Sequence, residues 1–487
     1  MATQTRRHFL RVSVIGAAGL LTACGDPRLA GVTPGDGDAG ALPGPDGGAP
    51  ADAGADPDAG VDAGAAEPDH PDLVNEAFNF SMGIAAGDVT DTRAVVWTRY
   101  AGPGALRLCV WRMDGEVYSE RVADVTVQPG DGGFVHLDVD GLQAGEKYRY
   151  AFFEETAGEL TARSAIGRFR AAFAPGTKAP LVVGASCCTE QGHTPTPLLR
   201  AGERNDLDVF LLLGDTSYND GCSTLAEFRT QWAANLSSPE YRALRASTSV
   251  LATWDDHEVS DNFNPESEDQ AIFANAVQTY FESLPLRRDA LAPNRVWKSM
   301  KWGDTVEFFV LDSRSERKPS TRYVGQTQQY LSPEQMTWLK GALSASTAVF
   351  KVILNSTPIT DFGFSAFTGD SWVAYPKERA SILEYIEDEG IAGVLWVSGD
   401  HHFASVGKVT GPLQLGAGKS ALEVLAGPGA QTANPAYATL QANQNRWPFA
   451  SGTNNYTTFT FDPDAGTVRV AFHDGAGAEL FARDFVL

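Results

Sequence analysis

Five short apolar runs, each stopping on side chains of the kind that bind metal ions, constrain this chain more than any other feature. Leu181-Val182-Val183-Gly184-Ala185-Ser186 leads into Cys187-Cys188, and Val209-Phe210-Leu211-Leu212-Leu213 ends on Gly214-Asp215, with Tyr218 three residues on. Ser249 to Trp254 leads into Asp255-Asp256-His257-Glu258, Phe350 to Leu354 into Asn355, and Gly393 to Ser398 into Gly399-Asp400-His401-His402. Unbroken apolar runs of this length read as strands buried on both faces, which is the texture of a parallel sheet. In open α/β sheets ligands bind just beyond the carboxyl ends of the strands. Taken singly, each ending has a modest explanation; Asp215, for instance, can cap its own turn. Five on successive strands predict a metal site.

The surroundings of these runs agree. A sixth run, Val306 to Leu311, lies among them, and helix-length patterns fall between. Ser332-Pro333-Glu334 opens one helix, with Ser332 as N-cap and Pro333 at the first helical position. Residues 175–487 therefore read as a layered α/β domain, with the strands 456–461 and 468–472 extending the same fold. Residues 76–174 have a different texture. Alternating segments such as Ala94–Thr98, Leu106–Trp111 and Phe134–Val139 are separated by turns, and Gly141 to Tyr150 looks like the tyrosine corner of a fibronectin type III-like sandwich. That module reads as a packing domain or as a binding surface. His136, within its alternation, reads as a surface or packing residue.

The formal charge of −23 excludes nucleic acid as a partner, because phosphate backbones need a basic groove. Much of that charge sits between Gly25 and Asp72, where eleven acids face the single base Arg28 in a stretch of Gly, Ala, Pro and Asp. Such a segment (residues 25–75) cannot bury enough apolar surface to offset its ordering entropy, and reads as a disordered tether. Its spacing lacks the ligand order of a calcium loop. Before it, residues 1–24 carry Arg6-Arg7, an apolar run from Val12 to Leu21, and Leu21-Thr22-Ala23-Cys24. This resembles a twin-arginine signal with a lipoprotein cleavage site, so the expectation is export by the twin-arginine machinery and a membrane anchor through lipid on Cys24, at the periplasm or cell surface. An uncleaved anchor, or a simple signal cut elsewhere, is the other reading.

The order and spacing of the strand endings resemble the calcineurin-like metallophosphoesterases. The Gly214-Asp215-x-x-Tyr218 element is similar to that of purple acid phosphatases. The closer likeness is to PhoD-type alkaline phosphatases, carried by Ala185-Ser186-Cys187, Trp254-Asp255-Asp256-His257-Glu258, Leu311-Asp312-Ser313-Arg314 and Ser398-Gly399-Asp400-x-His402. Gly83–Asp88 and Val96–Arg99 look like that family's N-terminal domain. The resemblance implies a metallophosphoesterase sandwich behind the β-module and two ligand sets sharing Asp215. The first is Cys187, Asp215, Tyr218 and His402, whose thiolate and phenolate favour iron, Fe³⁺. The second is Asp215, Asp256, Asn355 and Asp400. Purple acid phosphatases carry imidazoles at the positions of Asn355 and Asp400; oxygen at both favours calcium, Ca²⁺.

From these sets follows the expected chemistry, hydrolysis of small phosphomonoesters or phosphodiesters by a hydroxide bridging the two cations. His257 would bind an outer oxygen or protonate the leaving group. Arg314 either clamps the phosphate bidentately or forms a surface salt bridge with Asp312 or Glu316. Asp255 and Glu258 flank the ligands as orienting groups, and Glu258 has a third-metal role as its alternative. Cys109 reads as buried and inert; a Cys188–Cys222 disulfide is permitted. Three other functions stand beside this one: a phospholipase D-like phosphodiesterase on the same site, a cysteine hydrolase using Cys187 or Cys188 with His193, and a non-catalytic tethered binding lipoprotein. The segments 319–331 and 411–443 read as the loops that shape the pocket.

Overall fold

The apolar runs pair as parallel strands. Val209–Leu213 lies between Leu181–Thr189 and Ser249–Thr253 and is parallel to both, with Leu211 opposite Ala185 and Leu251. Asn455–Asp462, Thr467–Asp474 and Glu479–Val486 extend this sheet in antiparallel fashion from its 181–189 side. A second sheet has Val306–Val310, Phe350–Leu354, Val394–Ser398 and Leu422–Leu425 parallel at its centre. Its flanks, Lys298–Trp302, Ala404–Lys408 and Phe449–Ser451, are antiparallel. The computed structural model describes residues 71, 74–325, 327–363, 369–409 and 421–487, so the leader and most of the tether lie outside it.

Period-two alternation sorts the side chains into layers. Val183, Ala185, Leu211 and Leu213 of the first sheet meet Phe308, Val310, Val352 and Val397 of the second in the central core. Their neighbours point outward. Phe210, Leu212, Val250 and Ala252 pack under the helices Thr196–Gly202, Leu225–Leu236, Pro239–Ser247 and Gln270–Ser283. Phe309, Ile353 and Trp396 pack under Pro333–Ala345 and Pro376–Asp388. The result is a helix–sheet–sheet–helix sandwich in which strands are buried on both faces, and each enclosed Leu, Val or Phe contributes roughly 1.5–3 kcal/mol. The helix at Pro333 starts as its sequence predicts, with the Ser332 side chain accepting from the Gln335 amide. Among the described residues no helix is long and apolar enough to cross a membrane.

The amino-terminal strands form the expected sandwich. Leu106–Asp114, Val117–Val127, Lys147–Thr156, Glu159–Arg163 and Gly167–Arg170 make one sheet. It packs on Ile84–Gly87, Arg93–Arg99 and Phe134–Asp140 through Leu108, Val110, Tyr150, Ile84 and Val96. Tyr148 makes the corner: its hydroxyl accepts the Gln143 amide at 2.6 Å. The change of texture at residue 174 is not a break in the sheet, however. Ile84–Gly87 pairs in parallel with Ser249–Thr253, so one sheet runs through both regions. His136 is a packing residue there, with Nε2 3.0 Å from the Leu284 carbonyl.

One stretch departs from the sequence reading. Residues 411–443 read as a loop, yet Leu422–Leu425 is a central strand, Pro428–Ala430 pairs with Leu181–Thr189, and Tyr437–Gln441 is helical. The strand escapes a hydropathy reading because it is four residues long and contains Glu423. That carboxylate is buried and accepts from the Ile359 amide at 2.9 Å, the Thr360 amide at 2.8 Å and the Ser398 hydroxyl at 2.6 Å.

Candidate metal centre

Parallel pairing brings the carboxyl ends of both sheets to one edge, and the backbone there is bent in a recurrent way. Cys188, Asp215, Asp400 and His402 are four of the eight non-glycine described residues with positive φ, at 48°, 53°, 71° and 55°. Such conformations are costly and cluster at functional sites. Gly214, before Asp215, has φ 98°, and a Cβ there would meet Asp255 Cβ at 2.5 Å, so only glycine lets the two turns approach.

The turns are fastened from behind by Glu258. One carboxylate oxygen accepts from the Asp215 amide at 3.0 Å and the Asp255 amide at 2.8 Å; the other accepts from Thr216 at 2.6 Å. With both oxygens engaged and the side chain fully buried, Glu258 orients the ligand turns.

Three groups of donor atoms result, each within 4.8 Å of one another: Cys188, Asp215 and His402; Asp215, Asp256 and His257; and Asp255, Asp256 and Asp400. Asp215 is shared by the first two. Tyr218 joins it, with Oη 3.3 Å from Asp215 Oδ2 and accepting from Gln431 at 3.1 Å. Among the buried oxygens that accept no hydrogen bond are Asp215 Oδ1, Asp256 Oδ1 and Asn355 Oδ1, together with Asp255 Oδ2; Asp256 Oδ1 has only the Arg314 guanidinium beside it, at 3.3 Å. Asn355 spends its amide N–H on the Thr357 carbonyl, which leaves the oxygen as the free end. An unsatisfied buried oxygen is costly, and one at each of three proposed ligand positions fits a cation.

Two expectations need correction. Cys188, not Cys187, stands with Asp215 and His402. Cys187 keeps the strand alternation and has Sγ 3.4 Å from the Ala426 carbonyl; both cysteines border the central core, but Cys188, at a left-handed turn, has its Sγ among the Asp215 and His402 donors. Arg314 is neither a surface residue nor a free phosphate clamp. It is fully buried and donates to Asp255 and Asp370, with Nη2 3.3 Å from Asp256 and 3.4 Å from Asp400. It thereby already supplies a cation to the third acidic group. The four described cysteines are all unpaired, so Cys188 and Cys222 are not bridged. His193 pairs with Glu190 at 3.4 Å and lies outside the donor groups.

Electrostatics follow from burial and proximity. Burial, then Asp256 and Asp255, raise Asp215 well above the usual carboxylate range. Burial, with Asp215 and Cys188, also raises the Tyr218 phenol, which therefore stays protonated unless a cation displaces the proton. Asp400 goes the other way. Burial opposes its charge, but the hydrogen bond from His401 at 2.7 Å and the Arg314 guanidinium hold it below the usual range. His257 was expected; its partner was not. Its Nδ1 lies 2.8 Å from Asp220 Oδ2, and its ring packs against Tyr218 at a tilt of 31° with centroids 4.1 Å apart. Burial opposes the charge, but Asp220, Asp215 and Asp256 push the imidazole up to about 10. Asp370 was missed too, and no signal at the sequence level separates either acid from the chain's many others.

Comparison with known proteins decides the family. The PhoD-like phosphatase model matches residues 181–477, and the model of the PhoD-like phosphatase N-terminal domain matches 65–173. The chain belongs to the PhoD-like phosphatase family. It is 28% identical over 391 residues to alkaline phosphatase D of Bacillus subtilis, covering 68% of this chain and 66% of that protein, just under two thirds of its length. The solved structure of PhoD superposes with a TM-score of 0.73 at 21% identity, over 84% of this chain and 89% of that one. The purple acid phosphatase PPD1 of yellow lupin gives 0.59 at 13% identity, over 82% and 73%. At these identities the two structures establish the fold alone, an α/β sandwich behind a small all-β domain.

Proposed function

We propose that this PhoD-like phosphatase is an exported, metal-dependent phosphoric ester hydrolase acting on small phosphomonoesters or phosphodiesters. The observation that carries the reading is the set of buried oxygens at Asp215, Asp256 and Asn355 that accept no hydrogen bond. Without bound cations the cavity above them, about 460 Å³, is lined by five carboxylates and would repel a phosphate. Cys188, Asp215, Tyr218 and His402 would hold Fe³⁺, and Asp215, Asp256, Asn355 and Asp400 would hold Ca²⁺, because thiolate and phenolate suit the former and an all-oxygen set the latter. When bound, such a pair supplies Lewis acidity and acidifies water at neutral pH.

The chain's own groups do the rest. Asp215 joins the two ligand sets. Glu258 holds the turns that carry Asp215 and Asp256. His257, hydrogen-bonded through Nδ1 to Asp220 and packed against Tyr218, is placed to give a proton to the departing ester oxygen. Export through Arg6-Arg7 and anchoring through Cys24 belong to the same proposal, and rest on the sequence of the leader.

Protein produced through its own export route should contain about one iron per chain, with calcium in excess of it. It should turn over p-nitrophenyl phosphate or its bis-ester, and lose that activity in EGTA. No turnover of either ester by metal-replete protein would sink the enzymatic reading, and zinc in both positions would refute the ligand assignment.

A further inference from the structure

With Arg314 sealed beneath the site, any arginine that meets the substrate's charge beside the cations has to be another one. Among the described residues lining the cavity, Arg322 is the one permanent cation; Asp215, Asp256, Asp261, Asp370 and Asp400 are acids. Its Nη2 donates to Asp370 Oδ1 at 2.9 Å and its Nε to the Tyr375 hydroxyl at 3.3 Å. Those bonds use two of a guanidinium's five N–H groups and leave three without an acceptor among the described residues. The side chain is 29% exposed, against none for Arg314 and Arg317.

Charge and rigidity both favour a ligand there. Asp370 receives Arg314, Arg317 and Arg322 together; Arg314 is also met by Asp255, Asp256 and Asp400, so the outermost guanidinium, Arg322, shares its one carboxylate chiefly with Arg317. The loop that carries Arg322 is pinned on both sides. Ser320 donates its amide and hydroxyl to Glu266 at 2.6 and 2.7 Å, and the Tyr323 amide donates to the Ala374 carbonyl at 2.9 Å. A fork held this way loses little freedom on binding.

We propose that Arg322 is the residue that recognises the phosphate and selects monoesters over diesters at this site. The inference rests on the phosphohydrolase reading and narrows its substrate class. A monoester dianion offers one more non-bridging oxygen and about one more charge than a diester, and three free N–H groups on a fixed fork reward both.

The test compares wild-type holoenzyme with Arg322→Ala and Arg322→Lys. Arg322→Ala should raise KM for p-nitrophenyl phosphate ~10-fold or more, raise KM for the bis-ester less than ~3-fold, and weaken inorganic phosphate binding in calorimetry ~10-fold or more. Arg322→Lys should restore part of each loss, because it keeps the charge without the fork. Iron and calcium content should be unchanged, which separates recognition from damage to the metal centre. An equal rise in KM for both esters would overturn the selectivity, and unchanged phosphate binding would overturn the recognition. If wild-type protein turned over neither ester, the phosphohydrolase reading would fall, while phosphate binding would still decide whether Arg322 recognises the anion.

Discussion

The two sheets reach the site with different supports. At the end of the first, one buried carboxylate, Glu258, takes the amides of Asp215, Thr216 and Asp255, so it grips a shared ligand residue directly. At the end of the second, Glu423 takes the amides of Ile359 and Thr360 and the hydroxyl of Ser398, all beside the candidate ligands Asn355 and Asp400 and none of them a ligand. Asp400 is held instead by His401 and Arg314. The contrast separates buried acids by their open oxygens. Glu258 and Glu423 have both oxygens hydrogen-bonded and act as scaffold, whereas Asp215 and Asp256 each have one oxygen that accepts no hydrogen bond.

The sharpest way to break this contrast is to neutralise both supports. Glu258→Gln places an NH₂ against backbone amides that need an acceptor, and should cost about 2–4 kcal/mol in chemical unfolding of EGTA-treated protein. It should also weaken metal binding ~10–100-fold, as loss of an orienting group does. Glu423→Gln should cost a similar amount of stability but shift metal affinity less than ~10-fold. Equal losses of metal affinity in the two variants would show that the supports are equivalent.

A smaller effect separates neighbours within the first sheet. Cys188→Ser should lower iron content and bleach any thiolate-dependent absorption, because Cys188 stands with Asp215 and His402. Cys187→Ser should leave iron near the wild-type level and cost on the order of 1 kcal/mol, by putting a hydroxyl into an apolar core. The reverse pattern would return the ligand role to Cys187.

The same pair marks the limit of what could be read from the chain. Strand ends were legible because a five-residue apolar run followed by Asp, Asn or His is a local pattern, and both sheets are built on such runs. The choice between Cys187 and Cys188 depends on one backbone angle, the φ of 48° at Cys188, which no periodicity encodes. Arg314 was misread for a different reason. Its carboxylate partners Asp255, Asp370 and Asp400 lie 59, 56 and 86 residues away, so its burial is a property of the assembled site. The sheet that joins the β-sandwich to the catalytic strands was hidden likewise, since Ala86 pairs with Ser249 across the whole first half of the fold. Local chemistry was visible; convergence was not.

The mildest test concerns Asp220, which acts through His257 and binds no substrate in this scheme. In the metal-free protein the folded state raises His257 from 6.5 to about 10, so folding favours the protonated ring. Its contribution to stability is therefore complete below about pH 6.5 and is lost as pH rises through about 10. Asp220→Asn removes the carboxylate hydrogen-bonded to Nδ1 and should lower the ring's titration by ~1 unit or more, read from imidazole proton shifts in EGTA. Wild type and variant should differ most in unfolding free energy on the acid side of that window and converge above it. An unchanged imidazole titration would mean that Asp215 and Asp256 alone keep the ring charged, and would reduce Asp220 to a hydrogen-bonded neighbour on the rim.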